Sequence, residues 1–292
     1  MALATENFAV SRPRTPVALR AIATGLLVGL PAANVWPLLL GTLGMPRAAG
    51  VEALLLGLYI WWARGNGYPA SWRAVRRTSF RKVTLSRGQW PWAIMGAIAL
   101  ATTIHAAIVV LFRLVPFPVE QFREGYHFAV QGLDMKWLAI VMSAASAGIC
   151  EETGFRGYIQ RPIEKRHGAF VAIAISSLLF TAVHLSKGWA LPGMVPIVLL
   201  AGVLLGLMAW ASQSLIPGMI GHFVMDVGLF AYWWTGIAGD FRQHPMSETG
   251  VDRSFVIISC IFVASLVIVL IAIFNLRQSR QFLSEGVSQR ST

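Results

Sequence analysis

The sequence predicts an all-α fold, a polytopic membrane helix bundle of about eight transmembrane helices with both termini on the cytoplasmic side. Three observations predict it. The 292-residue chain is 56% hydrophobic, with a mean hydropathy of +0.63. Only 13% of its residues are charged, about half the ~25% usual in soluble domains, which excludes a disordered chain and argues against a soluble globule. Eight apolar stretches approach the ~20 residues that cross a bilayer.

The first stretch, Val17 to Gly44, follows Arg12, Arg14 and Arg20. Its apolar run exceeds the ~7–15 residues of a secretory h-region, so it reads as a retained span. Gly50 to Ala63 is the second and most ragged stretch, and Trp90 to Phe112 the third. Trp137 to Tyr158, Ala169 to His184, Leu191 to Ser212, Leu215 to Trp234 and Ser254 to Phe274 complete the set. Trp61, Trp62, Trp90, Trp92, Trp137, Trp189, Trp233 and Trp234 fall near span ends, where indole rings favour the interface. No internal repeat or linker divides the chain, so residues 1–292 read as a single membrane domain.

A net charge of +11, from 24 Lys and Arg against 13 Asp and Glu, would suggest nucleic acid in a soluble chain. Here it follows topology. With the N-terminus inside and eight spans, sixteen cations fall inside and seven outside, Arg156 being intramembrane, and nucleic acid is not an expected partner. Residues 64–89 hold seven cations and no acid and are expected to lie against anionic headgroups, at ~1 kcal/mol per basic side chain. Residues 113–136 form an outer loop of mixed charge. Cys150 and Cys260 lie within spans and imply no disulfide framework, and Cys150 reads as a packing residue.

Ionisable side chains near a bilayer centre cost about 2.5–3.5 kcal/mol even on the mildest scale, so each needs a partner or a purpose. The fourth span carries Glu151, Glu152 and Arg156, the fifth ends at His184, and the seventh carries His222 and Asp226. Glu152 and Arg156 are spaced for an intrahelical ion pair and read as structural support. Glu151 is turned ~100° away, onto a face shared with Ala144, Ala147 and Gly148, small residues that admit a neighbouring helix. It has no counter-charge within local helical reach, the competing reading being a structural pair with Arg161 or Lys165. His222 and Asp226 share a face with Gly218 one turn earlier. Converging on a polar pocket within the membrane, such groups could hydrolyse a peptide bond: Glu151 takes a proton from water and returns it to the leaving amine, His184 orients or deprotonates the water and His222 donates to the oxyanion. Counted at ~1.5 Å per residue from the inner span ends, Glu151 lies about 15 Å deep, His222 about 12 Å and His184 about 24 Å, so convergence requires tilt or a later start of the fifth helix.

Three motifs, each on its own span, carry a family resemblance. Glu-Glu-x-x-x-Arg (Glu151 to Arg156), Phe-x-x-x-His (Phe180 to His184) and His-x-x-x-Asp (His222 to Asp226) resemble those of the CAAX-protease and bacteriocin-processing family of intramembrane endopeptidases, also called the Abi family. The resemblance covers roughly residues 137–235 and includes Ser-Leu-Ile-Pro from Ser214 to Pro217. It implies an eight-helix membrane fold, with water activated by Glu151 and His184 and an oxyanion held by His222 and Asp226. Family members are described both as metalloproteases and as metal-independent glutamic proteases, and both mechanisms stay open. Glu151, His184, His222 and Asp226 would suit a divalent ion such as zinc, although no His-Glu-x-x-His is present. Asp226 stands at a position that Asn also occupies in the family. An ionised Asp cannot donate to an oxyanion, so Asp226 must be protonated, orient His222 or ligate a metal.

The expected function is an intramembrane endopeptidase acting on a membrane-associated or hydrophobic peptide in the plasma membrane of a prokaryote, with lipids and a peptide or protein substrate as partners. Prenylated carboxyl-terminal peptides are the eukaryotic family substrates, and bacterial relatives are associated with peptide maturation and bacteriocin self-immunity. A transporter or proton relay and a non-catalytic immunity or scaffold protein are the rival readings. His105, near Thr102 and Thr103, is expected in interhelical hydrogen bonding, and Gly202 and Gly206 are expected to pack the sixth helix into the bundle.

Overall fold

A computed structural model describes residues 16–81, 84–115, 132–185, 194–235 and 244–288. The regular structure among them is helical: α1 (Val17–Leu43), α2 (Arg47–Ala63), α3 (Arg73–Ser79), α4 (Gln89–Leu114), α5 (Leu133–Glu152), α6 (Arg161–His167), α7 (Ala169–Leu185), α8 (Val195–Ser212), α9 (Ile216–Thr235), α10 (Met246–Thr249) and α11 (Arg253–Ser288). A π-helical stretch, Thr153–Gln160, joins α5 to α6 in one rod of 35 residues. Among the described residues, five runs are long and apolar enough to cross a membrane: Val17–Leu43, Trp90–Leu114, Leu133–His167, Val195–Ser212 and Arg253–Ser279. Ala169–Leu185 and Ile216–Tyr232 are shorter apolar helices. The protein is a polytopic helical bundle. Its outer helices turn large apolar side chains outward, among them Leu27 and Leu38 on α1 and Val263, Val267 and Phe274 on α11, as a lipid solvent permits.

Of three apolar clusters among the described residues, two surround the centre of the bundle and the third joins Trp36 of α1 to Ala48 and Ala49 of α2 and Ala139 of α5. Leu100, Ile104 and Ile108 of α4 pack with Leu204, Leu205 and Met208 of α8 and Val269 and Leu276 of α11. Ala21 of α1 packs with Phe155 and Ile159 of the π stretch, Ile163 of α6, Phe180 of α7 and Val198 of α8. This second cluster frames the polar site.

Helices meet there through residues without bulk. A Cβ on Gly29 would stand 3.0 Å from the Cα of Gly154, so α1 lies directly on the π stretch. The same helix accommodates Pro31 and Pro37 within its length. Gly202 faces Ser177 of α7, and Gly206 faces Gln160 and Ile173, which seats α8 inside the bundle. His105 meets Tyr232 of α9 edge-on, with ring centroids 4.8 Å apart. Cys150 is buried in the packing.

The depths expected from the sequence are corrected. The fourth span does not stop at Tyr158; its helix runs on through the polar residues Gln160, Arg161 and Glu164 to His167. Glu151 therefore precedes the Gly168 turn by 17 residues and His184 follows it by 16, which at ~1.5 Å per residue puts both about 25 Å from that turn. The second helix starts at Arg47 and buries Glu52, a charge its ragged hydropathy concealed. Residues 116–131 of the outer loop, residues 191–193 of the sixth span, Lys82, Trp189 and the side chains of Trp233 and Trp234 lie outside what is described.

Candidate active site

Glu151 and Glu152 close the regular part of α5, immediately before the π stretch. A π turn breaks the regular ladder and is frequent at functional sites. Here the backbone freed by it is used: the hydroxyl of Ser176 on α7 donates to the Phe155 carbonyl at 3.0 Å. Gly148, one turn before Glu152, lets α9 approach, since a Cβ there would stand 3.2 Å from the Met219 carbonyl oxygen. The packing that follows sets Glu151 against α7 and α9 together.

The structure brings Glu151, His184, His222 and Asp226 into one cluster, each less than a tenth exposed. Glu151 Oε2 lies 3.9 Å from His184 Nε2 and 3.9 Å from His222 Nε2. His222 Nε2 is also 3.6 Å from Asp226 Oδ2. A backbone carbonyl only accepts, so the 2.7 Å contact between His184 Nδ1 and the Phe180 carbonyl places a proton on Nδ1 and turns Nε2 toward Glu151.

Glu152 does more than pair along its helix. Its Oε1 lies 2.8 Å from Arg156 Nη1 and 3.0 Å from His222 Nδ1, and both it and Arg156 are fully buried. Arg156 also donates from Nη2 to the Gly202 carbonyl at 3.1 Å, and its guanidinium lies 4.6 Å from the Phe180 ring centroid. Phe180 sits 4.4 Å from the His184 ring and 6.0 Å from the His222 ring, centroid to centroid. One aromatic ring thus spaces both imidazoles and caps the arginine. Gly218, one turn before His222, leaves room for the Glu152 carboxylate: a Cβ there would stand 2.8 Å from Oε2. The roles of Phe180 and of Glu152 toward His222 escape sequence reasoning, although the four-residue spacing of Phe180 and His184 is the signal that they share a face.

Arg161, the alternative partner weighed for Glu151, instead donates to Gln213 Oε1 at the turn into α9. Lys165 is exposed. The donor chemistry of two imidazoles and two carboxylates suits zinc, but among the described residues no three His, Cys, Asp or Glu side chains are disposed to hold an ion. No step of the proposed reaction runs through a metal.

Residues 133–228 match the family model described as type II CAAX prenyl endopeptidase Rce1-like. The match contains all three motifs and agrees with the CAAX-protease resemblance they carry. At the level of the family it supports an intramembrane protease. No curated protein and no solved structure matches the chain significantly.

Proposed function

We propose that this protein is an intramembrane endopeptidase that hydrolyses a peptide bond in a membrane-associated or hydrophobic peptide, with Glu151 as general base. The observation that carries this reading is the position of the buried Glu151 carboxylate, 3.9 Å from Nε2 of both histidines. That separation is too long for a direct hydrogen bond and short enough for one water to reach both Glu151 and His184. In this reading the water gives a proton to Glu151 as its oxygen attacks the scissile carbonyl carbon. His222, with a proton on each ring nitrogen, donates from Nδ1 to Glu152 and presents Nε2–H to the oxyanion, while Asp226 orients the ring. Collapse of the intermediate breaks the C–N bond, and Glu151 returns its proton to the departing nitrogen. One water is consumed, and a carboxylic acid and an amine are released. Glu152, Arg156 and Phe180 are positioning residues.

The matched family is named for CAAX prenyl substrates, so a farnesylated carboxyl-terminal peptide and unmodified hydrophobic peptides are the substrates to compare. The test is cleavage by the reconstituted protein with and without exhaustive metal removal. Cleavage at a defined bond that survives chelation and disappears in Glu151→Gln supports the reading. Substrate-dependent flux across liposomes without cleavage would favour a transporter, and full biological activity in Glu151→Gln a scaffold.

A further inference from the structure

Residues 64–89 are expected from the sequence to lie against anionic headgroups, and among the described residues their cations fall into two sets. Arg76 is fully buried and builds the segment from within. Its Nη1 donates to the Pro69 carbonyl and its Nη2 to the carbonyls of Asn66 and Gly67, each at 2.9 Å, and its guanidinium lies 5.1 Å from the Trp62 ring centroid. Arg81, also buried and at a left-handed φ of 43°, donates from Nη1 to the Ala209 carbonyl at 2.7 Å and from Nη2 to Glu164 Oε2 at 2.5 Å. A non-glycine residue holds that conformation only where its surroundings enforce it.

Held by these two arginines, residues 64–81 form an arm that follows α2. Its outer surface carries Arg64, Arg73 and Arg77, all exposed, beside Tyr68 (89% exposed), Trp72 (43%) and Val75 (48%). No acid lies between residues 64 and 88. The nearby Glu164 is taken by Arg81 and Gln213, whose Nε2 donates to Oε1 at 3.0 Å. Cations interleaved with aromatic and apolar side chains, on a segment between α2 and the membrane-spanning α4, suit an interface where rings enter the headgroup layer and guanidinium groups meet phosphate.

The inner surface packs on the π stretch that follows Glu152. The Ser79 carbonyl presses on Gly157 in the π stretch, where a Cβ would collide with it. Glu164 continues the rod that carries Glu151, and Gln213 sits at the turn into α9, which carries His222.

We infer that the 64–81 arm is a docking surface for anionic phospholipid headgroups, read out by Arg73, Arg77 and Trp72, and that through Arg81, Glu164 and Gln213 its occupancy steadies the turn into α9. The arm binds lipid whether or not the site is proteolytic, so the test uses no cleavage assay. The full chain is reconstituted in phosphatidylcholine vesicles containing phosphatidylglycerol, with bromine on one lipid or the other, and the Trp72 signal is taken as wild type minus Trp72→Phe. Brominated phosphatidylglycerol is expected to quench at least about twofold more than brominated phosphatidylcholine at equal mole fraction. Arg73→Gln/Arg77→Gln removes that preference, and Arg47→Gln, in the exposed residue that opens α2, keeps it. Equal quenching in the wild type, or a preference that survives Arg73→Gln/Arg77→Gln, overturns the assignment. Equal quenching with arginine-dependent binding of polyglutamate would instead assign the arm to an acidic polypeptide. Hydrogen exchange at residues 211–216 is expected to slow when phosphatidylglycerol is added; exchange there that ignores the lipid overturns the link to α9.

Discussion

His222 Nδ1 lies 3.0 Å from Glu152 Oε1, an oxygen that also receives Arg156 Nη1 at 2.8 Å. The carboxylate beside the proposed base thus ties the ion pair of the rod to the imidazole of α9. A cation and a ring donor meet one buried oxygen, so that loss of its charge is felt by both.

Glu152→Gln therefore leaves Arg156 buried with a neutral partner, and breaking a buried pair from one side costs about 3–5 kcal/mol. The variant is expected to unfold at a lower temperature and to lose cleavage together. Glu151→Gln is expected to lose cleavage alone. Thermal unfolding in the same detergent, measured beside the cleavage rate, separates the two.

Asp226→Asn keeps a side chain of the same shape beside His222 Nε2, 3.6 Å away in the wild type, and adds a donor. It is expected to retain activity within about tenfold, whereas Asp226→Ala, which leaves His222 oriented by Glu152 alone, falls by about 10²-fold, the scale of one lost oxyanion contact. Rates at saturating peptide decide between them; an Asn variant as impaired as Ala would show that the carboxylate itself is required.

Gly218→Ala puts a methyl group into the space of Glu152 Oε2, 2.8 Å from it. Displacing the carboxylate shifts His222, and crowding of this kind costs about 1–3 kcal/mol. Expected are a lower unfolding temperature and at least about tenfold slower cleavage. Gly228→Ala, with no atom within 4 Å of its Cβ, is the matched control and should behave as wild type.

At the opposite end of α4 from the arm, Asp252 joins α4 to α11. It receives Arg113 Nη1 at 3.3 Å and Nη2 at 2.8 Å, and caps α11 by accepting from the Phe255 N–H at 2.7 Å. The hydrogen bond from Arg113, then that from Phe255, holds its carboxyl below the ordinary 3.8. A depressed carboxyl contributes stability above its unfolded pKa and loses it as pH falls through the folded one. The unfolding temperatures of wild type and Asp252→Asn should keep a constant gap between neutral pH and about pH 5 and converge below 3.8. The gap should shrink with added salt, since the carboxylate is partly exposed.

The helical bundle was legible because span length and charge scarcity leave few alternatives in a bilayer. The grouping of Glu151, His184, His222 and Asp226 was legible as three motifs, each local to one helix. Their levels were not, because hydropathy ends the fourth span at the first polar residues while the backbone continues as helix to His167. Contacts between helices were equally hidden: Glu152 and His222 are 70 positions apart, and no local period pairs them. In residues 64–89 the charges could be counted, but burial separates Arg76 and Arg81 from Arg73 and Arg77, and burial comes from packing that composition does not encode.

The account rests most directly on Glu151, and its cleavage rate in a bilayer is the measurement that tests it. Reconstituted Glu151→Gln, compared with wild type on the same peptide, is predicted to cleave at least about 10²-fold more slowly, the lower scale of a lost general base, with its unfolding temperature unchanged. Cleavage by the folded Gln variant at the wild-type rate would contradict the account.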